Sequence, residues 1–178
     1  MSLQLNQDHL DLLHKIRLAY PTGKIYLVGG AVRDLLLEKE VKDFDFVVAD
    51  ASVELANAVR RKLGAVGFTL DDERQTARVI LKKGRQTELL LDFTSFIGNS
   101  LEEDLSQRDF TLNAMAIDLD QPDQLIDPLG GLTDLKQRRI RLSNPNSLQV
   151  DPLRVLRAVR MIRTYDLKHD PEFLDALR

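Results

Sequence analysis

The sequence predicts an α+β fold in which a mixed sheet flanked by helices is followed by a helical segment. Three observations carry that prediction. The stretch "YLVGGAVRDLLLE" passes from an apolar run through two glycines into a helical pattern. Between residues 67 and 93, three short runs rich in branched and aromatic residues alternate with turn residues, as in consecutive strands. After "SNPNSL" the character changes, and Asp151–Tyr165 carries apolar residues at helical spacing. These shifts divide the chain into a unit of residues 1–142 and a helical one of residues 143–178.

The elements follow in order. Leu10, Leu13, Ile16 and Leu18 place a helix over residues 8–19. Lys24–Val28 reads as a strand, and Gly29-Gly30 turns it into a helix over Ala31–Glu38. Phe44–Val48 is the next strand, and Ala51–Leu63 is a helix with Leu55, Ala58, Val59 and Leu63 on its apolar side. Gly67–Leu70, Ala77–Leu81 and Thr87–Phe93 are short strands, the last two joined by the turn "KKGRQ". Arg108–Met115 is expected as a short helix running into the strand Ala116–Leu119. "DPLGG" is a turn, followed by a short helix and the strand-like "RRIRL". A last helix is expected to begin at Pro171. Its end at Arg178, with few apolar partners, leads us to expect further helical domains.

Composition narrows the class. The chain has 178 residues, 43% hydrophobic and 30% charged, which suits one packed domain and the start of another. Without cysteine it has no disulfide framework, thiolate nucleophile or cysteine zinc site. The reducing cytoplasm is the expected compartment. No apolar run approaches the length of a membrane span, and the N-terminus lacks the basic and apolar regions of a secretory signal. The net charge of −3 argues against a general nucleic-acid binder, but its distribution is uneven. Residues 1–135 carry −8 and residues 136–163 carry +7. An acidic body beside a short basic segment fits a protein that meets phosphates at one place.

The chemistry concentrates in "DFDFVV". Side chains alternate along a strand, so Asp43 and Asp45 share one face while Phe44 and Phe46 share the other. Two neighbouring carboxylates repel unless a cation lies between them. They could be solvated acids on an edge strand, but a third acid, Asp92, sits in the apolar strand "ELLLDF". Strand-borne carboxylates are ligands for a hard cation such as Mg²⁺, and two such ions can activate a hydroxyl and stabilise a leaving phosphate. The Gly29-Gly30 pair at a helix start offers N–H groups and a positive dipole end to a phosphate.

Gly-Gly, twelve residues, then Asp-x-Asp resembles the signature of the nucleotidyltransferase superfamily typified by DNA polymerase beta. "GGAVRD", "DFDFVV", "EEDLSQRDFTLNAMA", "DPLGGLTDL" and "DPLRVLRAVRM" occur in that order. Together they resemble the head domain and start of the neck of bacterial class II tRNA nucleotidyltransferases and their poly(A) polymerase relatives, over roughly residues 20–165. The resemblance implies a polymerase-beta-like head and the first helices of an all-α neck, with body and tail domains beyond. It implies that Asp43 and Asp45 are the catalytic, metal-binding pair, with Asp92 at the position of the family's third carboxylate, which is usually Glu. Gly29, Gly30 and Arg33 would cradle the triphosphate; otherwise Arg33 is a structural partner of Asp34. Arg108, Asp109 and Asn113 would meet the ribose and triphosphate, Asp109 selecting ribonucleotides through the ribose hydroxyls; otherwise Asp109 and Asn113 are helix-end residues.

Asp151 and Arg154 would read the base edge of the incoming nucleotide, unless Asp151 only caps its helix. Val150 stands where the family has Glu before that Asp. Arg157 and Arg160 continue at three-residue steps, as does Arg163, some facing a nucleotide or RNA phosphate. The segment "FTSFIGNSLEEDLSQ" is short where longer relatives carry a basic flexible loop. His9, His14 and His169 fall outside every motif. The implied activity is template-independent addition of CMP and/or AMP from CTP and ATP to an RNA 3′ end, most simply that of tRNA, with Mg²⁺. Poly(A) synthesis or A-addition alone is the alternative; a small-molecule nucleotidyltransferase or a non-catalytic nucleotide-binding module fits the motifs less well.

Overall fold

A computed structural model describes residues 5–83, 86–169 and 173–174. Helix α1 (Gln7–Ala19) is capped by Asn6, whose side chain accepts from the His9 N–H. Strand β1 (Tyr26–Val28) leads into α2 (Gly30–Leu36), then β2 (Asp43–Val48) and α3 (Ser52–Leu63). Strands β3 (Val66–Asp71), β4 (Thr76–Lys83) and β5 (Gln86–Ser95) form a meander. The Gly84-Arg85 part of its expected second turn lies outside the described residues.

After α4 (Leu101–Gln107) come a 3₁₀ turn (Thr111–Asn113), β6 (Ala116–Asp118), β7 (Leu125–Ile126), α5 (Gly131–Lys136) and β8 (Arg139–Ile140). The short α6 (Ser147–Val150), the long α7 (Leu153–Tyr165) and β9 (Lys168–His169) complete the described elements. The helix expected from Pro171 falls largely outside the described residues.

Seven strands form one mixed sheet in the order β3-β4-β5-β2-β1-β6-β7. The β2–β5 pair is parallel and the other pairs are antiparallel. The alternation in "DFDFVV" determines what each face does. Phe44, Phe46 and Val48 enter the main core with Leu91 and Phe93 of β5, beneath Leu13 and Ile16 of α1 and Leu55 and Val59 of α3. Phe46 stacks on Phe93, ring centroids 5.1 Å apart. The opposite face is covered in part. Leu101 and Leu105 of α4 pack on Val28, Val47 and Ala116, so the carboxylates of β2 stand on the uncovered portion. Ala158 and Met161 of α7 reach into the main core and bring that helix against the sheet domain.

One expectation is corrected and one element added. Residues 108–115 are not a helix beyond the 3₁₀ turn. The Thr111 N–H bonds to the Arg141 carbonyl and the Ser143 N–H to the Asp109 carbonyl, so "RRIRL" claims this backbone as a strand partner would. The segment before Arg108, to which the sequence reading assigned no element, contains α4. Ser100 caps that helix by accepting from the Glu103 N–H at 3.2 Å, and three acids occupy its first turn.

Candidate nucleotide-binding and catalytic site

The sheet register assembles the acids. Val28 pairs with Asp45, Asp45 with Asp92, and Asp92 with Arg78. The four side chains therefore form one row across β1, β2, β5 and β4, on the face away from the phenylalanines. Asp43 lies two residues before Asp45 on that same face and is exposed, whereas Asp45 is half-buried. Among the described residues neither carboxylate receives a hydrogen bond. Burial pushes the Asp45 carboxyl above the usual carboxylate range; the Arg108 charge opposes this, and Asp92 and Asp43 add to it. The arrangement holds negative charge close together and leaves it under-compensated.

Asp92 is placed beside Asp45 as the sequence suggested, but it is not free. Both its oxygens accept from Arg78, Nε and Nη2 each at 2.7 Å. Arg78 is a site residue that sequence reasoning missed, because only the β4–β5 register connects the two. Among the described residues no three His, Cys, Asp or Glu side chains are gathered closely enough to hold an ion. Asp43 and Asp45 accept from no donor among the described residues, whereas Asp92 is paired with Arg78. Two carboxylates still suit Mg²⁺, which keeps several waters and takes phosphate oxygens as further ligands.

The glycine turn lies on the other side of Asp45. Gly29 adopts φ +75°, a left-handed conformation that side chains disfavour. A Cβ there would also meet Arg108 Nη1 at 3.0 Å and Asp45 Oδ2 at 3.5 Å. The Gly29 N–H is not bare as expected, since it donates to the Met115 carbonyl. The unclaimed N–H groups of α2 begin at Gly30. Arg108 itself is held by Asp104, from Nη2 at 2.9 Å, and Asp104 also accepts from the Ile97 N–H.

A cleft of about 590 Å³ opens beside the row. Gly30, Arg33, Asp43, Asp45, Asp109 and Asn113 line one side, and Arg157, Arg160, Met161 and Tyr165 of α7 line the other. Acid thus faces base across a space of ligand size. The wall is braced by a buried network. Asp109 Oδ1 accepts from the Phe110 N–H and from Asn113 Nδ2 at 2.9 Å. Asn113 Oδ1 accepts from Arg33 Nη1. Arg33 also donates to Asp34 and to the Tyr165 hydroxyl at 2.6 Å; that hydroxyl donates to Asp34 at 2.9 Å. The Arg33 guanidinium lies 4.4 Å from the Tyr165 ring centroid. Arg33 is therefore the partner of Asp34, with Nε, Nη1 and Nη2 all bonded to protein groups, and it contributes to the cleft lining. Tyr165 and Asp34 are further cleft residues that the sequence did not single out.

Asp151 precedes α7 and Arg154 lies in its first turn, and neither lines the cleft. Asp151 Oδ1 accepts from the Leu153 N–H at 2.9 Å, which makes it the turn cap of α7. Arg154 reaches back instead, donating to the Gln107 and Arg108 carbonyls and to the Ser147 hydroxyl at 2.7 Å. Its distance to Asp151 is 4.0 Å, so the expected side-by-side pair is loose. Arg157 approaches Asp151 at 3.6 Å and Asp109 at 3.7 Å.

Known proteins resemble this chain in sequence and fold. A family model described as "Poly A polymerase head domain" matches residues 25–141. A CC-adding tRNA nucleotidyltransferase of Geobacter sulfurreducens is 41% identical over 143 residues, 80% of this chain and 32% of that protein. An A-adding tRNA nucleotidyltransferase of Deinococcus radiodurans is 40% identical over 159 residues, 89% of this chain and 34% of that protein. A solved tRNA nucleotidyltransferase with a primer tRNA and an incoming ATP analog superposes with TM-score 0.79 at 40% identity, covering 92% of this chain and 48% of that one. The chain thus spans about a third of the curated relatives' length. The match over residues 25–141 takes in β1, the glycine turn, both aspartates of β2 and the Arg108–Asn113 wall, and on that extent the chain belongs to the poly A polymerase head-domain family.

Proposed function

We propose that the chain is the catalytic head of a template-independent RNA nucleotidyltransferase that adds CMP and/or AMP to the 3′ end of tRNA. Residues 1–142 would form the head and residues 143–178 the start of a helical neck, with body and tail domains in the whole protein. The observation that carries this reading is the under-compensated Asp43–Asp45 pair at the mouth of a cleft walled by Arg157 and Arg160. Nothing in the fold requires two acids there, but a cation and a triphosphate would complete the charge balance.

Asp43 and Asp45 would hold Mg²⁺, which when bound supplies positive charge against the reacting phosphate. The residues of this chain do the positioning. Gly30 and the free end of α2 face the phosphates, helped by the charge of Arg33 and by Arg157 and Arg160. Asp109, fixed by Asn113, presents Oδ2 towards the ribose. The RNA 3′-hydroxyl attacks the α-phosphate in line, its proton leaves to solvent, and pyrophosphate departs. Such transfer depends mainly on positioning and charge neutralisation. Asp151 would read the base edge if Arg154 leaves its backbone acceptors.

Relatives named for C-addition and for A-addition match almost equally well, so both CTP and ATP are proposed substrates. Poly(A) synthesis is kept as the second reading because the matching family model is named for it. Among the described residues no helix is long and apolar enough to cross a membrane, and the cytoplasm is the proposed compartment. The test is metal-dependent incorporation of labelled CTP or ATP into tRNA lacking its CCA end. Incorporation that stops when the metal is chelated supports the reading; nucleotide binding without incorporation by the full-length protein refutes it.

A further inference from the structure

The row of side chains through Asp45 continues beyond the carboxylates. Arg78 pairs in register with Phe68 of β3, the edge strand, so Val28, Asp45, Asp92, Arg78 and Phe68 lie on one face. Helix α4 covers that face only over β1, β6 and the end of β2. From Asp45 outward it is open. Phe68 is 51% exposed, and Val66, two residues before it on the same face, is 54% exposed; the strand bulges after Thr69, so that Asp71 comes to pair with Thr76. Thr76 and Thr94 fill the space between with small polar groups. An edge strand usually keeps large apolar side chains off its open face. Here two, Val66 and Phe68, are aligned beside the Arg78 guanidinium and lead to the proposed reaction centre.

Resting on the nucleotidyltransferase reading, we propose that the open face of β5, β4 and β3 seats the 3′-terminal nucleotides of the RNA acceptor, with Phe68 stacking on a base. The geometry assigns the two substrates to opposite sides of Asp45. The glycine turn, α2 and the α7 arginines lie on the β1 side and take the triphosphate. In-line displacement requires the attacking hydroxyl to approach from the far side, and the far side is the Asp92–Arg78–Phe68 row. Its chemistry suits that guest. An exposed ring on a sheet face is a sequence-tolerant platform for bases, and Arg78, whose Nε and Nη2 are taken by Asp92, keeps its Nη1 N–H groups for a phosphodiester oxygen. A second copy of this chain is the other conceivable occupant, but an apolar contact between copies would gain nothing from Arg78 and the threonines.

The experiment uses the full-length protein and a fluorescent tRNA lacking its CCA end. Phe68→Ala should raise the tRNA dissociation constant on the order of 5- to 150-fold, the loss expected for one stacked base, and leave the KM for nucleotide unchanged. Phe68→Trp should restore affinity and Phe68→Leu should not, because stacking needs a π-face whereas packing needs only an apolar one. Phe68 is exposed, so all three variants should melt with the wild type. Unchanged tRNA affinity in Phe68→Ala, rescue by Leu as well as Trp, or a change in oligomeric state without a change in affinity would each overturn the proposal. If the wild type incorporates nucleotide while Phe68→Ala binds tRNA normally, only the sheet-face assignment falls; a wild type that incorporates none removes the underlying reading.

Discussion

Asp45 and Asp134 are both carboxylates drawn into the protein, and they are treated in opposite ways. Asp134 is fully buried, yet it accepts from the Thr111 hydroxyl at 2.7 Å, from Arg139 at 2.6 Å and from Arg141 at 3.0 Å. It fastens α5, β8 and the 3₁₀ turn together behind the cleft. Asp45 has no such donors; its nearest positive charge, Arg108, belongs to Asp104. The first is a compensated charge that contributes to the fold. The second is left under-compensated by the fold, as a site awaiting a cation would be. A polar residue that lacks partners points to function, and one with every partner points to structure.

The comparison is broken most easily by exchanging the effects. Asp43→Asn or Asp45→Asn should lower nucleotide addition by about 10³-fold or more, since each removes a proposed ligand of the charge-stabilising ion. Relief of repulsion should leave the melting temperature of the ion-free protein no lower than wild type. Asp134→Ala should do the reverse and cost about 1–3 kcal/mol of stability, measured by denaturant unfolding, because it removes the acceptor of the buried Thr111 hydroxyl and the shared partner of two partly exposed arginines. If Asp134→Ala unfolds like wild type, its arginines are not held as described.

The pH dependence of stability sharpens the contrast. The folded protein holds the Asp45 proton to higher pH than the unfolded chain does. Stability is therefore lost as pH rises from the ordinary carboxylate range through the raised pKa. Asp45→Asn lacks this loss, so its melting temperature should gain on wild type over that window and then hold a constant lead. Added Mg²⁺ should narrow the lead by stabilising only the wild type. A lead that is flat in pH would show that Asp45 is compensated after all.

The smallest effect concerns Asp151. Loss of its bond to the Leu153 N–H should cost about 1 kcal/mol, read as a lowered melting temperature. If it also reads a base edge, competition among CTP, ATP, UTP and GTP should lose selectivity worth about 1–3 kcal/mol. Unchanged ratios would leave Asp151 as a cap alone.

Much of this was legible in the chain. The alternation of Phe and Asp in β2 gave both faces of the sheet, and the glycine pair gave the strand-to-helix turn. Ser100 and the acids after it mark the start of α4, a signal legible in the chain although no element was assigned to that segment. Other features depend on contacts distant in sequence. Arg78 meets Asp92 only through strand register, and Tyr165 meets Arg33 across 132 residues. The apolar residues of 108–115 are buried on all sides between α5, α7 and "RRIRL", so their local helical pattern was overridden by a backbone partner. Arg154 shows the same limit: spacing placed it beside Asp151, whereas the fold offered it better acceptors at Gln107, Arg108 and Ser147.

The most direct test titrates Mg²⁺ against incorporation of labelled CTP and ATP into tRNA lacking its CCA end, resolved one nucleotide at a time. Full-length wild type and Asp45→Asn would be run side by side. The wild type should rise with the ion to a plateau, and Asp45→Asn should stay near background at every concentration. A variant that reaches a near-wild-type rate at saturating Mg²⁺ would contradict the assignment of Asp43 and Asp45 as the pair that holds the ion.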